Sequence, residues 1–180
     1  MTLALGVLVG LMAAFLVGAS WRGLSETRWR LAPLCLLGMA IQLVFISRID
    51  ALVAPLTPFG PALHVLSYLL VFGFLLANWR VPGVPVLLLG GLLNFAAIVA
   101  NGGQMPRAVP LPDPTGFHNV VAVDENTRLA FLGDWIPAPG GRLYSIGDVL
   151  LFAGGALTAY RLARVKPANH SPPMVLGRFG

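Results

Sequence analysis

Seven polar residues in the second half of the chain have the side chains best suited to binding or chemistry. His118, Asp134 and Asp148 could form an acid–base set, because a histidine and two carboxylates can hold and transfer protons. The same three groups could also hold a divalent metal ion. Four further residues could exchange hydrogen bonds with a ligand: Asn94, Asn101, Gln104 and Ser145.

No specific catalytic or cofactor motif contains these residues. The chain has no HExxH, no histidine pair at helical spacing, and a single cysteine, Cys35, which cannot form an internal disulfide or a thiolate cluster. Walker, GxSxG and Rossmann patterns are also missing. Gly-Asp pairs at 133–134 and 147–148 are more typical of turns and helix caps. We therefore predict no metal and no cofactor, and the sequence assigns no catalytic residue.

The composition favours a lipid environment for the elements that carry these side chains. The chain of 180 residues is 57% hydrophobic and 11% charged, with a mean hydropathy of +0.80. Soluble domains contain about 25% charged residues. The net charge is +5, but basic residues never occur in a run longer than two, so nucleic acid is not a predicted partner.

Five apolar stretches have roughly the length that crosses a hydrocarbon core as a helix. We predict an all-α integral membrane protein, a bundle of five transmembrane helices with an extracytoplasmic cap loop at 101–143. Residues 1–166 would form the membrane domain and 167–180 a disordered cytoplasmic tail. The predicted spans are Leu3–Ala19, Leu31–Ile46, Ala62–Trp79, Val84–Ala100 and Tyr144–Ala163.

The basic residues predict the orientation, because Lys and Arg concentrate on the cytoplasmic side. An outside N-terminus and a cytoplasmic C-terminus place eight of them inside and four outside. The prediction is a multi-pass protein of the bacterial cytoplasmic membrane. The outer four are Arg48, Arg107, Arg128 and Arg142.

The polar residues within the spans fall at one depth, the outer half of the membrane, which favours a polar pocket open to the outside. The alternative is that these side chains only cross-link helices through hydrogen bonds. They are Gln42, His64, Ser67, Asn94, Ser145 and Asp148. Asn94 and Asn101, seven residues apart, are predicted to share one helix face.

Packing and loop signals complete the prediction. Gly6, Gly10, Ala14 and Gly18 form a stripe of small residues on the first span. Gly102 and Gly103 let the chain turn off its helix into the cap. In the cap, Asp124 or Asn126 is predicted to cap a short helix that includes 128–132. The sequence shows no internal repeat, which leaves an inverted-repeat transporter without support.

Several short motifs carry a resemblance to a known family. They are Asn-Gly-Gly-Gln-Met-Pro at 101–106, His118, Thr-Arg-Leu at 127–129, Leu-Gly-Asp at 132–134, Pro-x-Pro at 137–139 and Ser-Ile-Gly-Asp at 145–148. With these motifs the chain resembles the bacterial domain-of-unknown-function family 5317. The resemblance implies a polytopic membrane protein of unknown activity, and it supplies no catalytic residue.

The leading hypothesis is a protein that binds a small or lipidic ligand, or a membrane partner, through an outward-facing polar pocket beneath the cap. One alternative is a membrane enzyme acting on a lipid-linked substrate at the outer leaflet, with His118 and Asp134 or Asp148 as acid and base. Another is a structural subunit of a larger membrane complex. The lipid bilayer is a predicted partner in all three cases.

Overall fold

The computed structural model describes residues 11–12, 14–15, 26–46, 54–108, 120–138 and 142–164. Most of the first predicted span and its stripe of small residues lie outside the described residues, with only Ala14 of the stripe included. His118 and the tail 167–180 also lie outside them.

The described chain is mostly helical, and its four α-helices coincide with four of the predicted apolar segments. A 3₁₀ helix, Ala54–Phe59, leads directly into the second α-helix. The two central helices each begin with a proline in the first turn, where the missing N–H costs no intrahelical bond. The helices are α1 (Ala32–Ile46), α2 (Gly60–Ala77), α3 (Val84–Ala100) and α4 (Ile146–Ala163).

Two of the described helical segments are long and apolar enough to cross a membrane. They are Pro55–Ala77, which joins the 3₁₀ helix to α2, and Ile146–Ala163. Two shorter apolar helices accompany them, at Ala32–Val44 and Val84–Ala100.

The helices pack in chain order, with α2 against α1, α3 against α2 and α4 against α3. The core between α2 and α3 contains Phe72, Leu75, Val84 and Leu87. A second cluster, which includes Ile98, Met105 and Leu132, joins the end of α3 to the loop beyond it. The loop that follows α3 is thus packed onto the helices through its own apolar side chains.

The described part of that loop contains four short strands. We refer to these strands and the turns between them as the cap. Strand β1 (Met105–Arg107) pairs in parallel with β2 (Val120–Ala122), and β3 (Ile136–Ala138) pairs antiparallel with β4 (Arg142–Tyr144). On its other side, β1 bonds to Asp134, whose N–H donates to the Pro106 carbonyl at 2.7 Å. The sequence predicted no strands, because three-residue strands are too short to show a period of two.

The predicted capped helix in this loop was wrong. At this place the structure has the 3₁₀ helix Ala130–Leu132, which follows Leu129 at φ +52° and has no side-chain cap. Asp124 instead closes a turn, in which its Oδ1 accepts from the Asn126 N–H and from the Thr127 hydroxyl, both at 2.9 Å. A short polar side chain competes for local backbone groups in this way when no long helix follows.

Candidate functional site

Asn94, Ser145 and Asp148 form a closed ring of hydrogen bonds between α3 and the start of α4. The Ser145 hydroxyl donates to Asn94 Oδ1 at 2.7 Å and accepts from the Asp148 N–H at 2.9 Å. Asn94 Nδ2 donates to Asp148 Oδ1 at 3.2 Å, and the Ser145 N–H donates to Asp148 Oδ2 at 3.3 Å. Ser145 and Asp148 therefore make a capping box for α4, which Asn94 ties to the neighbouring helix.

Glycines let the two helices come close enough for this ring to form. A Cβ on Gly147 would overlap Asn94 Oδ1, and a Cβ on Gly90 would lie 2.6 Å from the Gly147 carbonyl oxygen. Ser145 is fully buried and Asn94 is 3% exposed. A buried polar group is costly unless it is hydrogen-bonded, and here the partners satisfy one another. The ring is thus a tight structural joint between α3 and α4.

Asn101 belongs to a separate hydrogen-bond set, although it was predicted to share a face and a site with Asn94. Its Nδ2 donates to the carbonyls of Ala97 and Arg128, both at 2.7 Å, and its Oδ1 accepts from the Arg128 N–H at 3.0 Å. The side chain thereby fastens the cap to the end of α3. Its amide is fully used by the protein itself.

The chain leaves α3 through the predicted glycine turn. Gly102 has φ +67°, its N–H donates to the Val99 carbonyl, and the Gly103 N–H donates to the Ile98 carbonyl at 2.9 Å. This is the Schellman arrangement, which satisfies the last carbonyls of a helix. Gln104 follows directly, and its N–H donates to the Asn101 carbonyl at 3.4 Å.

His64 fixes this exit to α2. Its Nδ1 lies 2.8 Å from the Gly103 carbonyl oxygen, and because a carbonyl only accepts, the ring nitrogen is the donor. The side chain is 4% exposed. Nearby, Gln42 on α1 donates to the Ser67 hydroxyl at 3.2 Å, and Ser67 donates to the His64 carbonyl. These three side chains act as cross-links, as the alternative interpretation of the polar residues required.

Asp134 is brought from the cap to the neighbourhood of Asp148. Burial raises the pKa of Asp134 to about 7, with a further increase from the negative charge of Asp148 and an opposing decrease from Arg107. Arg107 acts on this carboxyl through space and not through a hydrogen bond. Within the described part of the chain, no hydrogen bond to the Asp134 side chain lowers its pKa.

Arg107 and Tyr68 join the two carboxylates in a mixed polar cluster. The Arg107 Nε is buried and has no hydrogen-bond partner among the described residues. Tyr68 lies beside the Asn94 amide, within electrostatic reach of both Asp134 and Asp148. We refer to Tyr68, Arg107, Asp134 and Asp148 as the cap site.

Two parts of the cap site were not among the predicted site residues. Tyr68 lies within a predicted span, and Arg107 was counted only among the outer basic residues. The sequence held no clear signal for either residue, because the burial of Met105 and Pro106 beside Arg107 results from strand pairing that the sequence did not predict. A charged residue inside an otherwise buried strand needs a partner.

The acid–base set can be traced only for its two carboxylates, because His118 lies outside the described residues. Asp134 and Asp148 approach one another, whereas the predicted ligand residues Asn101 and Gln104 lie at the helix exit. Among the residues that the structure describes, no group of three or more His, Cys, Asp or Glu could hold a metal ion.

A predominantly helical chain with a buried polar cluster under a stranded loop defines a structural class but no activity. Residues 26–160 match the family of unknown function DUF5317, and the chain belongs to that family. An uncharacterized protein from Thermotoga maritima is 34% identical over 110 residues, which are 57% of this chain and 65% of the relative. The match thus spans less than two thirds of that relative's length. No solved structure matches the chain.

Proposed function

We propose that the protein is a multi-pass membrane protein that binds a small or lipidic ligand at the cap site, on the extracytoplasmic side. The observation that carries the proposal is the buried Arg107 Nε without a partner, on a strand that bridges to Asp134, whose carboxyl accepts no hydrogen bond from the described residues. A buried donor left unsatisfied costs about 1–3 kcal/mol. A ligand that accepts from Arg107 would recover that free energy.

The contrast with neighbouring polar residues supports this choice of site. Asn94, Ser145 and Asp148 satisfy one another, and Asn101 is used to hold the cap. Asp134 and Arg107 are charged and retain hydrogen-bonding capacity. Within the predicted polar set, the ligand therefore contacts Asp134 and not Asp148, whose carboxylate is already held by Asn94 and Ser145.

Membrane insertion is supported by the outward faces of the helices. Large apolar side chains are exposed on each of them, including Leu36, Leu43, Leu69, Leu76 and Leu89. Lipid contact removes the cost of this exposure, because hydrocarbon tails are as apolar as the leucines. The excess of Arg and Lys in the predicted inner segments supports an outward-facing cap.

The orientation is tested by cysteine labelling in intact cells. The native thiol is removed with Cys35→Ser, and a new cysteine is placed at the exposed cap residue Glu125. A membrane-impermeant maleimide should label the Glu125→Cys protein without permeabilisation. A matched Arg80→Cys protein, in the turn between α2 and α3, should label only after permeabilisation. The reverse pattern would overturn the proposed orientation.

Ligand binding is tested by native mass spectrometry of the full chain purified in a mild detergent. The wild-type protein should carry a non-protein adduct that Asp134→Asn and Arg107→Gln lose. Glu125→Gln and Arg128→Gln, which remove exposed charges of the same cap, should retain it. Absence of any adduct, or an adduct that all four variants retain, would refute binding at the cap site.

A structural subunit is the second candidate, favoured by the ring of Asn94, Ser145 and Asp148 whose polar atoms are spent on one another. It predicts that the protein migrates with a stable membrane-protein partner and carries no small adduct. The same mass spectra distinguish the two cases, because a protein partner and a small molecule differ greatly in mass.

A further inference from the structure

The charges of the cap site restrict the kind of ligand that it can bind. Asp134 and Asp148 approach closely enough to influence one another, and among the described arginines Arg107 acts on Asp134. Asp148 is already held by the Asn94 amide and the Ser145 N–H. The carboxyl left for a ligand is therefore that of Asp134, and a cationic group placed beside it favours its ionised form.

The available donor belongs to Arg107, whose strand bridges directly to Asp134. Arg107 Nε is buried without a partner, and its guanidinium reaches Asp134 only through space. A ligand atom that accepts from Nε would thus lie beside a carboxylate that attracts positive charge. Guanidinium groups are suited to binding phosphate and carboxylate oxygens.

We infer, on the basis of the proposed function, that the ligand of the cap site is a zwitterion whose oxyanion accepts from Arg107 and whose ammonium group lies against Asp134. A simple anion would satisfy Arg107 but meet two carboxylates. A simple cation would satisfy Asp134 but leave the Arg107 Nε without an acceptor. Only a ligand that carries both charges satisfies both Arg107 and Asp134.

Two sources could supply this chemistry, a free zwitterion and the headgroup of a zwitterionic lipid. In the chain, Tyr68 and Asp148 of the cap site are directly followed by Leu69 and Val149, whose apolar side chains are exposed. A headgroup could therefore enter from the surrounding lipid. Both sources present the same charged groups to the site, and the experiment separates them.

The test is isothermal titration of the purified full chain in detergent with water-soluble probes. Glycerophosphoethanolamine carries both charges, glycerol phosphate only the anion and ethanolamine only the cation. We expect glycerophosphoethanolamine to bind at least about tenfold more tightly than either fragment, since each lost charge-assisted contact weakens binding by that order. Dihexanoyl phosphatidylethanolamine, compared with dihexanoyl phosphatidylglycerol, extends the test to lipids.

Variants assign the binding to the two groups. Asp134→Asn and Arg107→Lys should each weaken binding of the tightest zwitterionic probe about tenfold or more, because lysine keeps the charge but lacks Nε. Glu125→Gln and Arg128→Lys are the matched controls and should leave affinity unchanged. Thermal unfolding of every variant verifies that a loss of binding is not a loss of fold.

The outcomes separate the inference from the function on which it rests. Binding of the ethanolamine lipid without binding of glycerophosphoethanolamine identifies a lipid headgroup as the source, and equal binding of both identifies the free zwitterion. Equal affinity for glycerol phosphate or phosphatidylglycerol, or no binding of any probe, overturns the zwitterion. If an adduct sensitive to Asp134 is still present in native mass spectra, the proposed function stands with a ligand of another class.

Discussion

Asn78 and Asn101 make the same three hydrogen bonds at the C-terminal ends of two neighbouring helices, α2 and α3. Each follows the last residue of its helix, donates to the carbonyl four residues earlier, and pairs with both backbone groups of an arginine. Asn78 pairs with Arg30 at 2.7 and 3.0 Å, and Asn101 pairs with Arg128 at the same two distances.

The sequence around the two arginines repeats as well. Residues 30–34 read Arg-Leu-Ala-Pro-Leu, and residues 128–132 read Arg-Leu-Ala-Phe-Leu. In both, the leucine after the arginine has a positive φ, +56° at Leu31 and +52° at Leu129. The interpretation that the chain has no internal repeat was therefore incomplete. The same local arrangement of one short motif and one distant asparagine occurs twice. This is too little sequence to be detected as a repeat.

The first prediction concerns these asparagines. Asn101→Asp keeps the acceptor and loses the donors, and should destabilise the protein by about 1–3 kcal/mol because the carbonyls of Ala97 and Arg128 lose their partner. Asn78→Asp should have a similar effect at the other end. Thermal unfolding in detergent measures both.

Hydrogen exchange distinguishes the two positions. Asn101→Asp should raise exchange in 124–132, and Asn78→Asp should raise it near Arg30. Asn126→Asp, whose side chain is exposed, is the control. Unchanged exchange in 124–132 would show that Asn101 does not hold the cap.

A second prediction concerns the capping box of α4. Ser145→Ala removes the hydroxyl that accepts from the Asp148 N–H and donates to Asn94, and should cost about 1–2 kcal/mol. Ser145→Thr keeps the hydroxyl and should recover much of the stability if the extra methyl group is accommodated. The free energy of unfolding of both variants provides the measurement. Equal stability of Ser145→Ala and wild type would contradict the role of this ring.

The third prediction tests the close approach of α3 and α4. Gly147→Ala places a Cβ against Asn94 Oδ1 and should destabilise by about 1–3 kcal/mol through overpacking. Gly102→Asn is the contrasting variant, because nothing lies within 4 Å of an added Cβ there and asparagine tolerates the left-handed region. Thermal unfolding should rank Gly147→Ala well below Gly102→Asn, and the opposite order would contradict the packing.

A fourth prediction concerns pH. Because the folded state raises the pKa of Asp134 to about 7, it holds this proton more tightly than the unfolded chain does. This contribution to stability is greatest near and below pH 4 and is lost as pH rises through 7. The loss should be below about 4 kcal/mol, since partial exposure lets water screen the charge.

The charged groups around Asp134 determine which variants serve as controls for the pH dependence of stability. Asp148 on α4 raises its pKa, Arg107 on β1 lowers it, and Tyr68 on α2 lies within reach of its charge. In Asp134→Asn, the decline in stability between pH 5 and 8 should shrink, whereas Glu125→Gln should keep it. A wild-type protein equally stable at pH 5 and pH 8 would be inconsistent with a buried Asp134 carboxyl.

The helices could be predicted from sequence because each contains a long apolar run with a recognisable start or stop. Pro61 and Pro85 mark the first turns, and Gly102 marks the end of α3. The capping box was foreseen only in outline, from a Gly-Asp pair at 147–148. The family was also predicted correctly, from motifs concentrated in 101–148.

The cap and the division of the polar residues could not be predicted in the same way. Asn94 and Asn101 were predicted to share a helix face, but Asn101 follows the last residue of α3 and bonds to the cap, which bends back over that end. Residues of the cap reach the cap site through pairing of strands only three residues long, whose partners lie up to about thirty positions away in sequence. Such contacts leave no periodic signal in a single sequence.

The hydrogen bond from His64 to the Gly103 carbonyl fixes the end of α3 to α2. A Cβ on residue 103 would lie 2.6 Å from the Pro61 Cβ, so the glycine backbone lies directly against the first turn of α2. The cap is therefore joined to both helices at residues 102–103. The first residues of the cap therefore form part of the contact between α2 and α3.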